Sequence, residues 1–201
     1  MPDKKLVDVV VIIPDASPVM TLARIGRLDL LGSFAIPVHI VDQVHYEITK
    51  KANDPDGKIA AALKRMGNQV LIIPTATGAG FKALRATDPD FPSKNLGEQA
   101  VDEYARRIAR LQSPITVPLI LFEDPDMLKL GVAQTKGVHL LNTKAWLESL
   151  GDEGLLPEAK TLVARIDALR KTAMIPIERG VRTRKIRSIW LRRSFSNDDA
   201  T

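Results

Sequence analysis

The chain has 201 residues, 45% of them hydrophobic and 26% charged, with a formal net charge of +5 and no cysteine. This length and composition suit one domain with a full core plus a tail, and the missing cysteines exclude disulfides, zinc-thiolate centres and cysteine nucleophiles. No apolar run is long enough to span a bilayer, and the start, MPDKKLVDVV, lacks the apolar region and cleavage site of a signal peptide, so the expectation is a soluble cytoplasmic protein with no membrane partner.

Short apolar runs alternate with amphipathic segments along the chain. Val9 to Pro14, VVVIIP, is rich in β-branched residues and predicts a strand buried on both faces, as in parallel sheets. Asp15 follows at the turn. Ser17 then suits an N-cap with Pro18 at the first helical position. Pro37 to Val41 is a second strand, and the helix after it places Val44, Glu47 and Ile48 on one side. GKIAAALKRM predicts a helix leading into a third strand, Gln69 to Pro74, and Thr75 to Lys94 reads as a loop rich in Gly, Asp and Pro.

The clearest helix follows, GEQAVDEYARRIARL, with Val101, Tyr104, Ala105, Ile108 and Leu111 as its apolar stripe. Glu98 lies in its first turn and Asp102 one turn on, along the same edge. Val117 to Phe122 is the fourth strand, EDPDMLKLGVAQTKG its following helix, and Val138 to Leu141 a short fifth strand. NTKAWLESL starts another helix, and a last amphipathic helix begins at Pro157. Strand then helix, repeated, predicts an α/β fold with a parallel sheet of about five strands between layers of helices. Residues 1–175 form the expected domain and 176–201 a basic tail.

The acids fall at matching places. Asp15, Glu47, Glu98 and Asp124 come from segments that a parallel sheet gathers near the carboxyl ends of its strands. Clustered carboxylates raise one another's pKa unless a cation compensates, and oxygen-only ligands suit Mg²⁺ or Mn²⁺. Each acid also has a structural use, as a turn former, a helix cap or a solvated residue. His39, His45 and His139 lie in or beside apolar runs with no metal-binding pattern, and TATGAGFKAL lacks the spacing of a phosphate loop.

The segments VIIPDASPVMTLARIGRLDLLGSF, VHIVDQVHYEITKKA, NLGEQAVDEYARRI, PLILFEDPDMLKLG and VHLLNTKAWL, in this order and at these separations, resemble the PIN-domain nucleases, which include ribonuclease toxins of toxin-antitoxin pairs. The resemblance covers roughly residues 7–155. It implies a three-layer α/β/α fold and a Mg²⁺- or Mn²⁺-dependent endoribonuclease. On that implication Asp15, Glu98 and Asp124 hold the ion, Glu47 assists as a fourth catalytic acid, and Ser17 and Thr143 support them together with Asp102 and Asp126. Glu123, Asp124 and Asp126 compete for the fourth-strand position, with register favouring Asp124; the glycine common before the threonine is Asn142 here. RNA, a small antitoxin protein and a second copy of the chain are the implied partners.

The charge is uneven. Seven cations against three acids from Pro176 onward place +4 of the formal +5 in the tail. Arg182, Arg184, Lys185 and Arg187, interleaved with Ile186, Ile189 and Trp190, form a candidate arm for RNA phosphates. This feature supports an alternative, a non-catalytic PIN-like module that binds RNA or a protein through its tail. A receiver-like phosphotransfer domain also places acids at strand ends. The chain lacks that domain's acid pair at the first strand and its lysine directly after the fifth.

Overall fold

A computed structural model describes residues 8–34, 36–111 and 116–172. Five strands, β1 (Asp8–Pro14), β2 (Val38–Val41), β3 (Val70–Ile73), β4 (Thr116–Phe122) and β5 (His139–Asn142), form one parallel sheet in the order β3-β2-β1-β4-β5. Helices α1 (Ala16–Arg24), α2 (Asp42–Thr49), α3 (Lys58–Arg65), α4 (Ala76–Thr87), α5 (Leu96–Leu111), α6 (Thr143–Asp152) and α7 (Ala159–Thr172) complete the three-layer α/β/α arrangement.

β1 is central because its side chains can be buried on both faces. Ile12 and Ile13 are fully buried, as are Leu119, Ile120 and Leu121 of the neighbouring β4. Each such side chain contributes about 1.5–3 kcal/mol relative to exposure. The β1 and β4 register pairs Ile12 with Leu119 and Pro14 with Leu121, so the two strands end level with each other. From β1 the chain winds outward through β2 to β3, then crosses back to β4. The crevice beyond the ends of β1 and β4 is therefore the point at which the winding reverses, where open α/β sheets bind ligands.

Several local expectations are corrected. Helix α1 starts at Ala16 with Asp15, not Ser17, at the N-cap position, and Ser17 lies inside the first turn. The expected loop from Thr75 contains α4, whose start Thr75 caps by accepting the Gly78 N–H at 2.9 Å. Its glycines hid the helix. Gly78 is required there, since a Cβ would lie 1.9 Å from Asp42 Oδ2. After β4 the expected helix is two 3-10 turns, Pro125–Lys129 and Gly131–Gln134. Pro125 lacks a backbone donor, and the Arg106 guanidinium fills the space where Gly131 would carry a side chain, 2.8 Å from its Cβ position. β5 is shifted by one residue, to His139–Asn142. No helix among the described residues is long and apolar enough to cross a membrane.

Candidate acidic site

Asp15 is only 4% exposed. Its backbone N–H donates to the Leu121 carbonyl at 2.9 Å, which fixes it against the end of β4. Although it occupies the N-cap position of α1, its side chain makes no capping bond to the helix. The usual bond from an N-cap aspartate to the second or third helical N–H is therefore missing, and the Ala16 N–H is the helix group that the carboxyl meets. Burial pushes its carboxyl up to about 7 from 3.8, the Ala16 backbone N–H pulls the other way, and the charges of Glu98, Glu47 and Asp124 push it up further.

The other acids reach Asp15 from three different connections. Glu47 is half-buried on α2, and its carboxyl is raised by burial, eased by Lys50 and raised again by Glu98. Glu98 opens α5 directly after Gly97. The chain enters that helix through Asn95 in a left-handed conformation, φ 60°, which asparagine tolerates better than most residues. A Cβ on Gly97 would lie 3.4 Å from Glu47 Oε2, 3.6 Å from Val44 Cγ2 and 3.9 Å from Asp15 Oδ1. The absent side chain thus leaves a space that two carboxylates border.

After β4, Glu123 and Asp124 take different positions. Glu123 Oε2 accepts a hydrogen bond from Thr21 Oγ1 at 2.9 Å, which joins it to α1. Asp124 is exposed, and its charge acts on Asp15. Asp126 belongs to the first 3-10 turn, and its side chain lies outside the described residues.

Among the supporting residues, Ser17 is half-buried in the first turn of α1. Asp102 is ion-paired with Arg106 one turn along α5, so a cation of the protein already compensates it. Thr143 is 0% exposed at the start of α6, and its Oγ1 finds no hydrogen-bond partner among the described residues. Asn142 caps that helix, accepting the Ala145 N–H at 2.9 Å, and pairs with Phe122 across the sheet. Thr143 therefore follows β5 at the level where Glu123 follows β4. Arg182, Arg184, Lys185 and Arg187 lie outside the described residues.

A second set of acids is structural. Asp42 Oδ1 accepts from Thr75 Oγ1 at 2.7 Å, and Asp42 Oδ2 accepts from the Thr75 N–H at 3.1 Å, which locks the start of α2 to the end of β3. Glu103 accepts from the Ala76 and Thr77 N–H groups at 2.8 and 2.9 Å, so the N-terminus of α4 is already filled by the protein's own carboxylate. That rules the TATGAG turn out as an anion site in this conformation. Asp54 caps α3 in the same way through Ile59 and Ala60. Of the histidines, His39 bonds Tyr104 through Nδ1 at 2.5 Å, and burial lowers the pKa of His39, His45 and His139 alike.

The site's side chains are thus oxygen donors, with Lys50 the cation whose charge acts on Glu47. Among the described residues, no three carboxylate or imidazole groups stand close enough to ligate one ion together directly. A Mg²⁺-type site does not need that convergence, since the ion keeps several waters and takes one or two carboxylates from the protein. Gly97 marks the site through the space it leaves beside Glu47 and Asp15, and the Gly-Glu pair is its signal in the sequence. No protein-family model matches the chain, and no curated protein matches it.

Proposed function

We propose that this chain is a metal-dependent endoribonuclease of the PIN-domain type, with Asp15 as its central ligand. The observation that carries the reading is the buried Asp15 carboxyl at the reversal point of the sheet, raised to about 7 by burial and by the charges of Glu98, Glu47 and Asp124 in spite of the Ala16 N–H. An uncompensated buried acid among like charges costs stability, and such costs concentrate at functional sites. The donor set fits Mg²⁺ or Mn²⁺: every group is a hard oxygen, and the space beside Gly97 is bordered by two of them.

Asp15, Glu98 and Asp124 are the residues that would hold the ion. When bound, it supplies an activated water and neutralises charge in an in-line phosphoryl displacement. Glu47, whose Oε2 borders the Gly97 gap that Asp15 also borders, is the residue that would accept a proton from the attacking water. Thr143 Oγ1 supplies a hydroxyl that the protein itself leaves unengaged among the described residues. The strongly basic tail offers a contact for the RNA backbone, and in the toxin subset a small protein partner would bring an Arg or Lys to the carboxylates.

The test is cleavage of a mixed tRNA and mRNA pool by the purified chain in Mn²⁺, in Mg²⁺ and in EDTA. The proposal expects cleavage that needs the metal and disappears in folded Asp15→Asn. RNA binding without cleavage in any metal, lost when residues 176–201 are removed, would replace it with the non-catalytic module.

A further inference from the structure

We propose that Tyr46, Lys82 and Arg85 form a platform that grips a single-stranded nucleic acid beside the carboxylates, an inference that rests on the nuclease reading. Tyr46 immediately precedes Glu47 on α2, and at 36% exposure it is the most accessible aromatic ring on that helix. Its hydroxyl accepts a hydrogen bond from Arg85 Nη1 at 3.2 Å. Its ring packs on Phe81 of α4 with centroids 5.3 Å apart and planes at 60°. Phe81 is buried and backed in turn by Phe91, 6.4 Å away, on the segment that leads to Gly97 and Glu98. Tyr46 is therefore an exposed ring backed by two further aromatic rings, one residue along α2 from Glu47.

The charges around it have the sign the task needs. Arg85 Cζ lies 5.7 Å from the Phe81 ring centroid, and Lys82 is exposed three residues earlier on the same face of α4. Lys50 follows the end of α2, close enough for its charge to act on Glu47. Lys82 and Arg85 form no ion pair among the described residues. Asp88, at the end of α4, is turned into its own loop, where its Oδ1 accepts the Asp90 N–H at 3.1 Å.

A polyphosphate chain is repelled by a cluster of carboxylates, so it must be held from outside that cluster. An exposed ring for a base, with cations for the flanking phosphates, is how single strands are bound without sequence readout. A base-paired duplex offers no free base face to Tyr46, so the arrangement selects single strands.

The test uses the full-length Asp15→Asn chain in EDTA, so that binding is read without cleavage or metal. Fluorescence anisotropy measures its affinity for a labelled ten-nucleotide uridine RNA, the corresponding DNA and an RNA duplex. Tyr46→Ala should weaken RNA binding about tenfold. Tyr46→Phe should stay within about twofold, because the ring is retained. Lys82→Gln with Arg85→Gln should lower the salt slope by roughly two phosphate contacts. This pair, exposed Lys82 and half-buried Arg85, decides the matter if Tyr46→Ala fails to fold. DNA bound as well as RNA assigns the platform to either strand chemistry, and RNA preference assigns it to RNA. Folded variants that bind within twofold of the parent, no parent binding, or a duplex bound as tightly as the single strand would each overturn the proposal. A nuclease insensitive to these variants refutes the platform alone, whereas a platform in a chain that cuts nothing refutes the nuclease reading alone.

Discussion

Glu47 Oε2 lies 3.4 Å from the point where Gly97 would carry a Cβ, and that same point is 3.9 Å from Asp15 Oδ1. A methyl group fits there at ordinary contact distance, yet it occupies the space between two carboxylates. Gly97→Ala should therefore fold, and should gain up to about 1 kcal/mol from the better helix former. Cation affinity should fall at the same time. Urea denaturation alongside Mn²⁺ calorimetry separates the two effects, and unchanged Mn²⁺ affinity would count against the placement of the ion.

Asp15 makes stability depend on pH in an unusual direction for an aspartate. Its folded pKa, about 7, is above the unfolded value of 3.8, so between these limits the folded chain holds a proton that the unfolded chain has released. Its contribution is present below about pH 4 and is lost as pH rises toward 7, amounting to on the order of 4 kcal/mol. Asp15→Asn removes the charge, so it should raise Tm by several degrees at pH 8 and leave it nearly unchanged at pH 4. Melting curves at the two pH values give the comparison.

The acids around Asp15 should be separable by titration. Glu98→Gln and Asp124→Asn each remove a charge that pushes Asp15 up, so each should lower the Asp15 midpoint. Carbon-13 NMR of the Asp15 carboxyl reads this directly. Asp124 is one of the charges that most raise Asp15, whereas Glu123 is bonded by Thr21, so Glu123→Gln should move that midpoint less than Asp124→Asn.

Asp42 predicts the opposite behaviour from Asp15. A Cβ at Gly78 would lie 1.9 Å from Asp42 Oδ2, a distance that forces the latch to Thr75 apart. Gly78→Ala should cost about 1–3 kcal/mol by overpacking. Asp42→Asn should likewise lower stability without affecting Mn²⁺ binding. Loss of the ion in a folded Asp42→Asn chain would move this acid into the site.

The parts of the fold legible in the sequence are those with strong periodicity. VVVIIP and VPLILF stand out as β1 and β4 because both faces of those strands are buried, and α5 stands out because its apolar stripe is long. α4 was hidden because Gly78 and Gly80 argue against a helix, while the groups that support it, Asp42 and Glu103, come from α2 and α5. Tertiary bonds overrode propensity there. The converse holds after β4, where a helical pattern gave way to 3-10 turns beside Arg106. For the site, Asp15, Glu47, Glu98 and Asp124 are legible as acids on segments gathered near the carboxyl ends of the strands, and the Asp102–Arg106 pair is the i,i+4 spacing that takes Asp102 out of that set. Sequence does not separate Asp15, which does not cap its helix, from Asp54, which does. Both are acids ahead of a helix, and only the backbone geometry tells them apart.

The most direct measurement is Mn²⁺ binding by electron paramagnetic resonance, at pH 6 and pH 8, for the wild-type chain and Asp15→Asn. The account predicts binding by the wild type that strengthens at pH 8, as the Asp15 proton leaves, and that is abolished in the folded variant. Equal binding by both chains, or no Mn²⁺ held by the folded wild type at either pH, would contradict it.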